Sequence, residues 1–175
     1  MREPTTWQEG AESAAWMLGA QYVEVDLLGE LRAAYDSYPI DQIDYIDVGG
    51  RALAGLVAHS AYNTSSELLD ATILLVVTKQ LDYGSDNIKR FGDEGLAIRI
   101  HDKIARLENL AGRDSPMHEA LSDSWQDVLG YCLIGIMHRH GWFTLPIRGD
   151  RHEAMLLRQT RWDEAPMASV DSIYR

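Results

Sequence analysis

Between residues 64 and 139, apolar side chains recur at intervals of three and four. The pattern breaks only where the chain carries helix stop and start signals. Such a chain folds by burying helix stripes against one another, so an all-α bundle is the expected fold class. Thr64-Ser65-Ser66-Glu67 reads as a capping box: hydroxyl and glutamate satisfy the free backbone donors of a first turn. The helix it opens carries Leu68, Leu69, Ile73, Leu74, Val76 and Val77. It stops at Asp82-Tyr83-Gly84, where glycine suits a positive φ. A second helix is expected over 96–111, with Ile100, Ile104, Leu107 and Ala111 on one side and Arg99, Asp102, Arg106 and Asn109 on another. A third is expected over 118–139, striped by Leu121, Trp125, Val128, Leu129, Cys132, Leu133 and Ile136. The polar, glycine-bearing stretch 85–95 reads as a loop, and 112–116 as a turn.

The flanks are less periodic. Residues 10–36 read as one or two helices ending at Tyr38-Pro39, because a residue before proline avoids helical backbone. Gly49-Gly50 reads as a break and 51–59 as a short helix; residues 22–25 and 43–48 are compatible with short strands. Residues 151–161 are compatible with a last helix. The expected organisation is an N-terminal helical region over 1–63, a core over 64–143, and an arm or short helix over 144–175. No internal repeat and no low-complexity tract is visible.

Charge narrows the functional classes. The formal net charge is −11, which opposes general binding to a nucleic-acid backbone. A small phosphorylated ligand is still allowed where basic residues reverse the local field, and Lys79, Lys89, Arg90, Arg99, Lys103 and Arg106 cluster in one part of the chain. The longest apolar run is 73–77, far short of the ~20 residues of a membrane span. The N-terminus has no apolar signal core, and one cysteine, Cys132, permits no intramolecular disulfide. Both features favour a cytoplasmic, reducing compartment.

Several side chains are candidates for chemistry. Asp123 and Asp127 stand four apart, neighbours on one helix face, with Glu119 a turn earlier. Two carboxylates so placed either form a solvated acidic face or share a divalent ion with substrate phosphates, as Mg²⁺ commonly does. Asp102 either pairs with Arg106 one turn away or supplies a metal ligand from a second helix. Lys79 and Asp82, followed by Tyr83-Gly84, either end a helix or hold phosphate, with Asn87 as a further contact. The glycines 84, 92 and 95 match neither a P-loop nor a dinucleotide fingerprint. His138 and His140 are two apart, poor spacing for a metal on one helix face, and one cysteine with scattered histidines makes no tetrahedral zinc set. Cys132 lies in the apolar stripe and reads as inert core.

Taken in order, Lys79-x-x-Asp82-Tyr83-Gly84-x-x-Asn87, then Gly95-Leu96-x-x-Arg99-x-x-Asp102-Lys103-x-x-Arg106-Leu107-x-Asn109-Leu110, then Glu119-x-Leu121-x-Asp123-x-x-x-Asp127-x-x-x-Tyr131 resembles the nucleotide modification associated domain, type 1, of bacteriophages and bacteria. The resemblance covers about residues 72–138. That family is in turn similar to the MazG-like all-α nucleoside triphosphate pyrophosphohydrolases, which bind Mg²⁺ through E-x-x-E and E-x-x-D helices. Here Ser124 stands three before Asp127, and the first helix lacks paired glutamates. The resemblance therefore implies a metal set rebuilt from Asp102, Asp123, Asp127 and Glu119, holding Mg²⁺ or Mn²⁺. It also implies a nucleotide bound by Lys79, Asp82, Tyr83, Asn87, Arg99, Lys103 and Arg106, and a homo-oligomeric assembly. The function it implies is metal-dependent release of pyrophosphate from a (deoxy)nucleoside triphosphate, with Asp102, Asp123 and Asp127 as catalytic residues. The alternative is a non-catalytic module that sequesters a nucleotide or assists DNA base modification. A purely structural helical protein would explain the helices but not the three ordered segments.

Overall fold

The structure, a computed structural model, describes residues 3–19, 27–59, 64–112 and 118–147; the side chains of Asn87, His118, Glu119 and Ala120 lie outside that description. Among the described residues there are six α-helices and no strand: α1 (Trp7–Gly19), α2 (Leu27–Asp36), α3 (Tyr45–Ala58), α4 (Ser65–Tyr83), α5 (Asp86–Ala111) and α6 (His118–Arg139). A short 3₁₀ turn, Trp142–Thr144, follows α6.

The helix ends written most clearly in the sequence form as expected. Thr64 Oγ1 accepts from the Glu67 amide at 3.2 Å, and the Glu67 carboxylate accepts from the Thr64 amide at 3.2 Å. Helix α4 stops at Gly84, whose φ of 65° and ψ of −169° belong to backbone that glycine alone adopts readily. Helix α6 spans the stretch expected for it.

Three expectations are corrected. Residues 43–48 form no strand: Asp44 caps α3, accepting from the amides of Ile46 at 2.9 Å and Asp47 at 3.1 Å. Gly49 and Gly50 do not break the chain but lie inside α3, which extends well before the helix expected over 51–59. The stretch 85–95 is helical from Asp86 onward, and only Gly92 leaves helical backbone, at φ 52° and ψ −140°. The expected helical stretch 10–36 resolves into α1 and α2 on either side of undescribed residues. The candidate strand 22–25 and candidate helix 151–161 lie outside the described residues.

Helix α6 is the centre of the bundle. It packs most extensively on α3 and α5, and also on α1, α4 and the 3₁₀ turn. Its buried residues include Leu121, Trp125, Val128, Leu129, Cys132, Leu133, Ile136 and Met137. The contact with α3 is unusually close because each helix offers a glycine to an aromatic ring of the other. A Cβ on Gly135 would stand 2.6 Å from ring atoms of Tyr45, and one on Gly55 would stand 2.3 Å from the Trp125 ring. Between them a Cβ on Gly49 would meet Cys132 Cβ at 3.0 Å and Leu18 of α1 at 2.3 Å. The pairs 45 with 135, 49 with 132 and 55 with 125 make α3 and α6 antiparallel. Helix α2 bridges α3 and α5: its Tyr35 hydroxyl donates to Ala97 O at 3.0 Å, and Glu30 pairs with Arg51. The apolar core runs without interruption from α1 to the 3₁₀ turn.

The ring-on-glycine packing yields a paired prediction. Gly55→Ala drives a methyl into the Trp125 ring and should lower unfolding free energy by about 1–3 kcal/mol, a typical overpacking cost. Gly29→Ala is the control, since nothing lies within 4 Å of the added Cβ. It should be neutral or stabilising by up to ~1 kcal/mol from helix propensity. Urea denaturation of both variants checks this, and equal effects would remove Gly55 from its role.

Candidate functional site

Three helices meet at Asp127. Lys79 of α4 reaches its Oδ1 at 3.2 Å and Lys103 of α5 reaches its Oδ2 at 2.7 Å. The carboxylate is the inner member, its side chain 18% exposed against 26% for Lys103 and 48% for Lys79. Each ammonium has three donors and spends one on Asp127, so two cations lie side by side with donors still available toward solvent. Gly130 of α6 faces α4 here: an added Cβ would stand 3.4 Å from Val76 Cγ2, an ordinary packing contact.

The surrounding side chains follow from the register of α5 on α6. Asp93 meets Arg139, Arg99 lies over the Tyr131 ring at 5.9 Å, and Lys103 meets Asp127. Position numbers rise on α5 as they fall on α6, so these helices are antiparallel, and the contacts form successive rungs. Arg99 and Tyr131 are both half-buried. One turn beyond Lys103 on α5 comes Arg106, and one turn before Asp127 on α6 comes Asp123, both exposed. Of the expected site residues the fold thus brings Lys79, Lys103 and Asp127 into contact, with Arg99 one rung away and Arg106 and Asp123 one turn beyond along their helices.

Asp102 and Tyr83 do not join them. Asp102 is exposed on the side of α5 that faces α2. Burial pushes the Tyr35 phenol up, with the charges of Asp36 and Asp102 adding to the effect and Arg32 opposing it. Asp82 and Tyr83 are exposed at the end of α4, Tyr83 at 73%. Asn87 stands in the first turn of α5, on the far side of the Gly92 break from Lys103. The side chains of Asn87 and Glu119 lie outside the described residues.

Among the described residues no three His, Cys, Asp or Glu side chains come together as a metal site. Both oxygens of Asp127 are held by ammonium groups, which a divalent ion would have to displace. Of the expected Mg²⁺ or Mn²⁺ set of Asp102, Asp123, Asp127 and Glu119, the Glu119 side chain lies outside the described residues, and the three described carboxylates do not come together. The described histidines pack against aromatic rings or pair with a carboxylate: His59 stacks on Trp125, His101 lies against Tyr35, His140 stacks on Trp142, and His138 Nδ1 stands 3.4 Å from Asp93. Burial pushes the Cys132 thiol up, in keeping with an inert core residue.

One polar cluster escaped sequence reasoning. Arg139 donates to Asp93 Oδ2 at 2.9 Å and to Ile43 O at 2.6 Å, and lies over the Tyr45 ring at 4.4 Å. It ties the Gly92 break to the start of α3 and the end of α6. A basic residue in a last helical turn was the available signal; its partners, 46 and 96 residues away, were not.

Comparisons of the chain with protein-family models, with curated proteins and with solved structures found no match. The site is therefore read from its own geometry.

The two ion pairs make a stability prediction. Asp127→Asn keeps shape but leaves two neighbouring ammonium groups without their shared counter-ion. Because both lysines are partly solvated, the loss should be only about 1 kcal/mol, larger at low ionic strength and shrinking with salt. Chemical denaturation in low and high sodium chloride measures it. A rise in stability would show instead that repulsion between Asp123 and Asp127 dominates.

Proposed function

We propose that this protein binds a nucleotide through its phosphate at the junction of α4, α5 and α6, and acts as a binding module. The observation that carries the reading is the convergence of Lys79 and Lys103 on the single, more deeply set carboxylate of Asp127. A charge-assisted hydrogen bond to a phosphate oxygen is stronger than a neutral one, and two preplaced cations lower the ordering cost of making two of them. Arg99 and Tyr131 next to the lysines supply flat cationic and aromatic surface of the kind that receives a base. The net charge of −11 favours a small ligand over a nucleic-acid chain. No helix among the described residues is long and apolar enough to cross a membrane, and a nucleotide ligand suits the cytoplasm, that of a host cell if the chain is phage-encoded. The exposed Trp16, Phe91 and Ile98 are side chains that a homo-oligomer would cover.

A second reading is the pyrophosphohydrolase. It is favoured by one observation, the placement of Asp123 one turn from Asp127 beside the basic rungs. In that case incubation with a nucleoside triphosphate and Mg²⁺ yields monophosphate and pyrophosphate, and a chelator abolishes the yield. The binding reading expects heat of nucleotide binding in calorimetry with no product over many hours.

Lys79→Ala and Lys103→Ala should each weaken nucleotide binding about tenfold, the effect of removing one charged hydrogen bond worth roughly 1.5–3 kcal/mol. Neither substitution touches the buried stripe. Unchanged affinity in both variants, or no binding by the parent protein across a panel of nucleotides, returns the cluster to an ordinary interhelical ion pair.

A further inference from the structure

We infer that the surface along α5 and α6 is matched to a nucleoside monophosphate, base toward Arg99 and Tyr131 and phosphate at Lys79 and Lys103, and that Asp123 selects against longer phosphate chains. The inference rests on the nucleotide-binding reading above and adds direction and ligand class to it.

Charge changes from rung to rung along α5 and α6. From Arg99 and Tyr131 onward, successive rungs are four residues or fewer apart on both helices, and four residues advance a helix by roughly 6 Å. The first of these carries Arg99 over the Tyr131 ring, at 5.9 Å, one rung beyond the Asp93–Arg139 pair. The next carries Lys79, Lys103 and Asp127, two positive charges and one negative. The third brings Arg106 of α5 to the level of Asp123 of α6, one charge of each sign. Positive charge is thus concentrated on two adjacent rungs and cancelled on the third.

A ligand with a flat ring one turn away from a single dianionic phosphate meets both positive rungs. Its ring finds the Arg99 guanidinium beside the Tyr131 ring, and both residues are half-buried, so stacking there removes area from water. With its base in that place, a triphosphate extends toward the neutral rung, where Asp123 faces the added charges. The net charge of −11 opposes each further negative charge on the ligand as well. Asp123 is exposed, so its role is tested without disturbing the core.

The experiment is calorimetry in the absence of divalent ions. It uses inorganic phosphate, a nucleoside, and the mono-, di- and triphosphates of that nucleoside, on the parent chain and on Arg99→Ala and Asp123→Asn. In the parent the monophosphate should bind most tightly. Arg99→Ala should reduce monophosphate affinity about tenfold, toward that of inorganic phosphate, while leaving inorganic phosphate within about twofold; a stacked base contributes on that scale. Asp123→Asn should raise triphosphate affinity severalfold and leave the monophosphate within twofold. A parent protein that binds the triphosphate as tightly as the monophosphate overturns the inference, as does an unchanged ratio of the two in Asp123→Asn. Either outcome leaves nucleotide binding itself standing. Failure of every probe to bind the parent instead removes the binding reading.

Discussion

The close approach of α3 and α6 is the constraint on which the rest of the bundle depends. Two aromatic rings, Tyr45 and Trp125, lie where the missing side chains of Gly135 and Gly55 would be. The interlock works in both directions and at both ends of the contact, so it sets the separation of the helices and their antiparallel register together. A core packed to this density transmits displacement instead of absorbing it. Moving α3 by one residue would place a Cβ against a ring at each end. Gly49 extends the same logic to a third helix, admitting Leu18 of α1 beside Cys132.

Once α6 is held at the centre, its remaining faces are available to α4 and α5. The face that meets these two helices carries Gly130, Asp127 and Tyr131 in place of a continuous apolar stripe. Helix α4 packs on this face and brings Lys79 within reach of Asp127, while α5 brings Lys103 from the other side. The carboxylate is thus surrounded by positive charge as a consequence of packing set elsewhere on the same helix. Such a cluster adds little stability, because partly solvated ion pairs are screened. Its consequence is positional: two ammonium groups sit next to each other on a protein whose overall charge is strongly negative.

Helix α5 shows how one backbone break is stabilised. Gly92 adopts a conformation that other residues avoid, and the next residue, Asp93, is held by Arg139. The same guanidinium donates to the carbonyl of Ile43 and covers the ring of Tyr45. The start of α3, the end of α6 and the bend in α5 therefore share one cation. This is why the segment after the bend lies along α6 in the register that lines up Arg99, Lys103 and Arg106.

By itself the sequence determined the helices and many of their ends. The capping box at Thr64 and Glu67, the stop at Gly84 and the stripe from Leu121 to Ile136 were legible because each is a local matter of backbone hydrogen bonds and periodicity. The basic character of the segment from Lys79 to Arg106 was legible too. The tertiary structure decided what the glycines and carboxylates do. Gly49 and Gly50 read as a break yet lie inside a helix. A glycine's weak helix propensity is local, whereas the ring or side chain that fills its missing Cβ comes from another element. Asp102 and Asp127 are both charged helix residues in the sequence. One faces α2 and the other lies between two lysines, because a carboxylate's partners depend on which helices are packed opposite it, and no spacing along the chain encodes that.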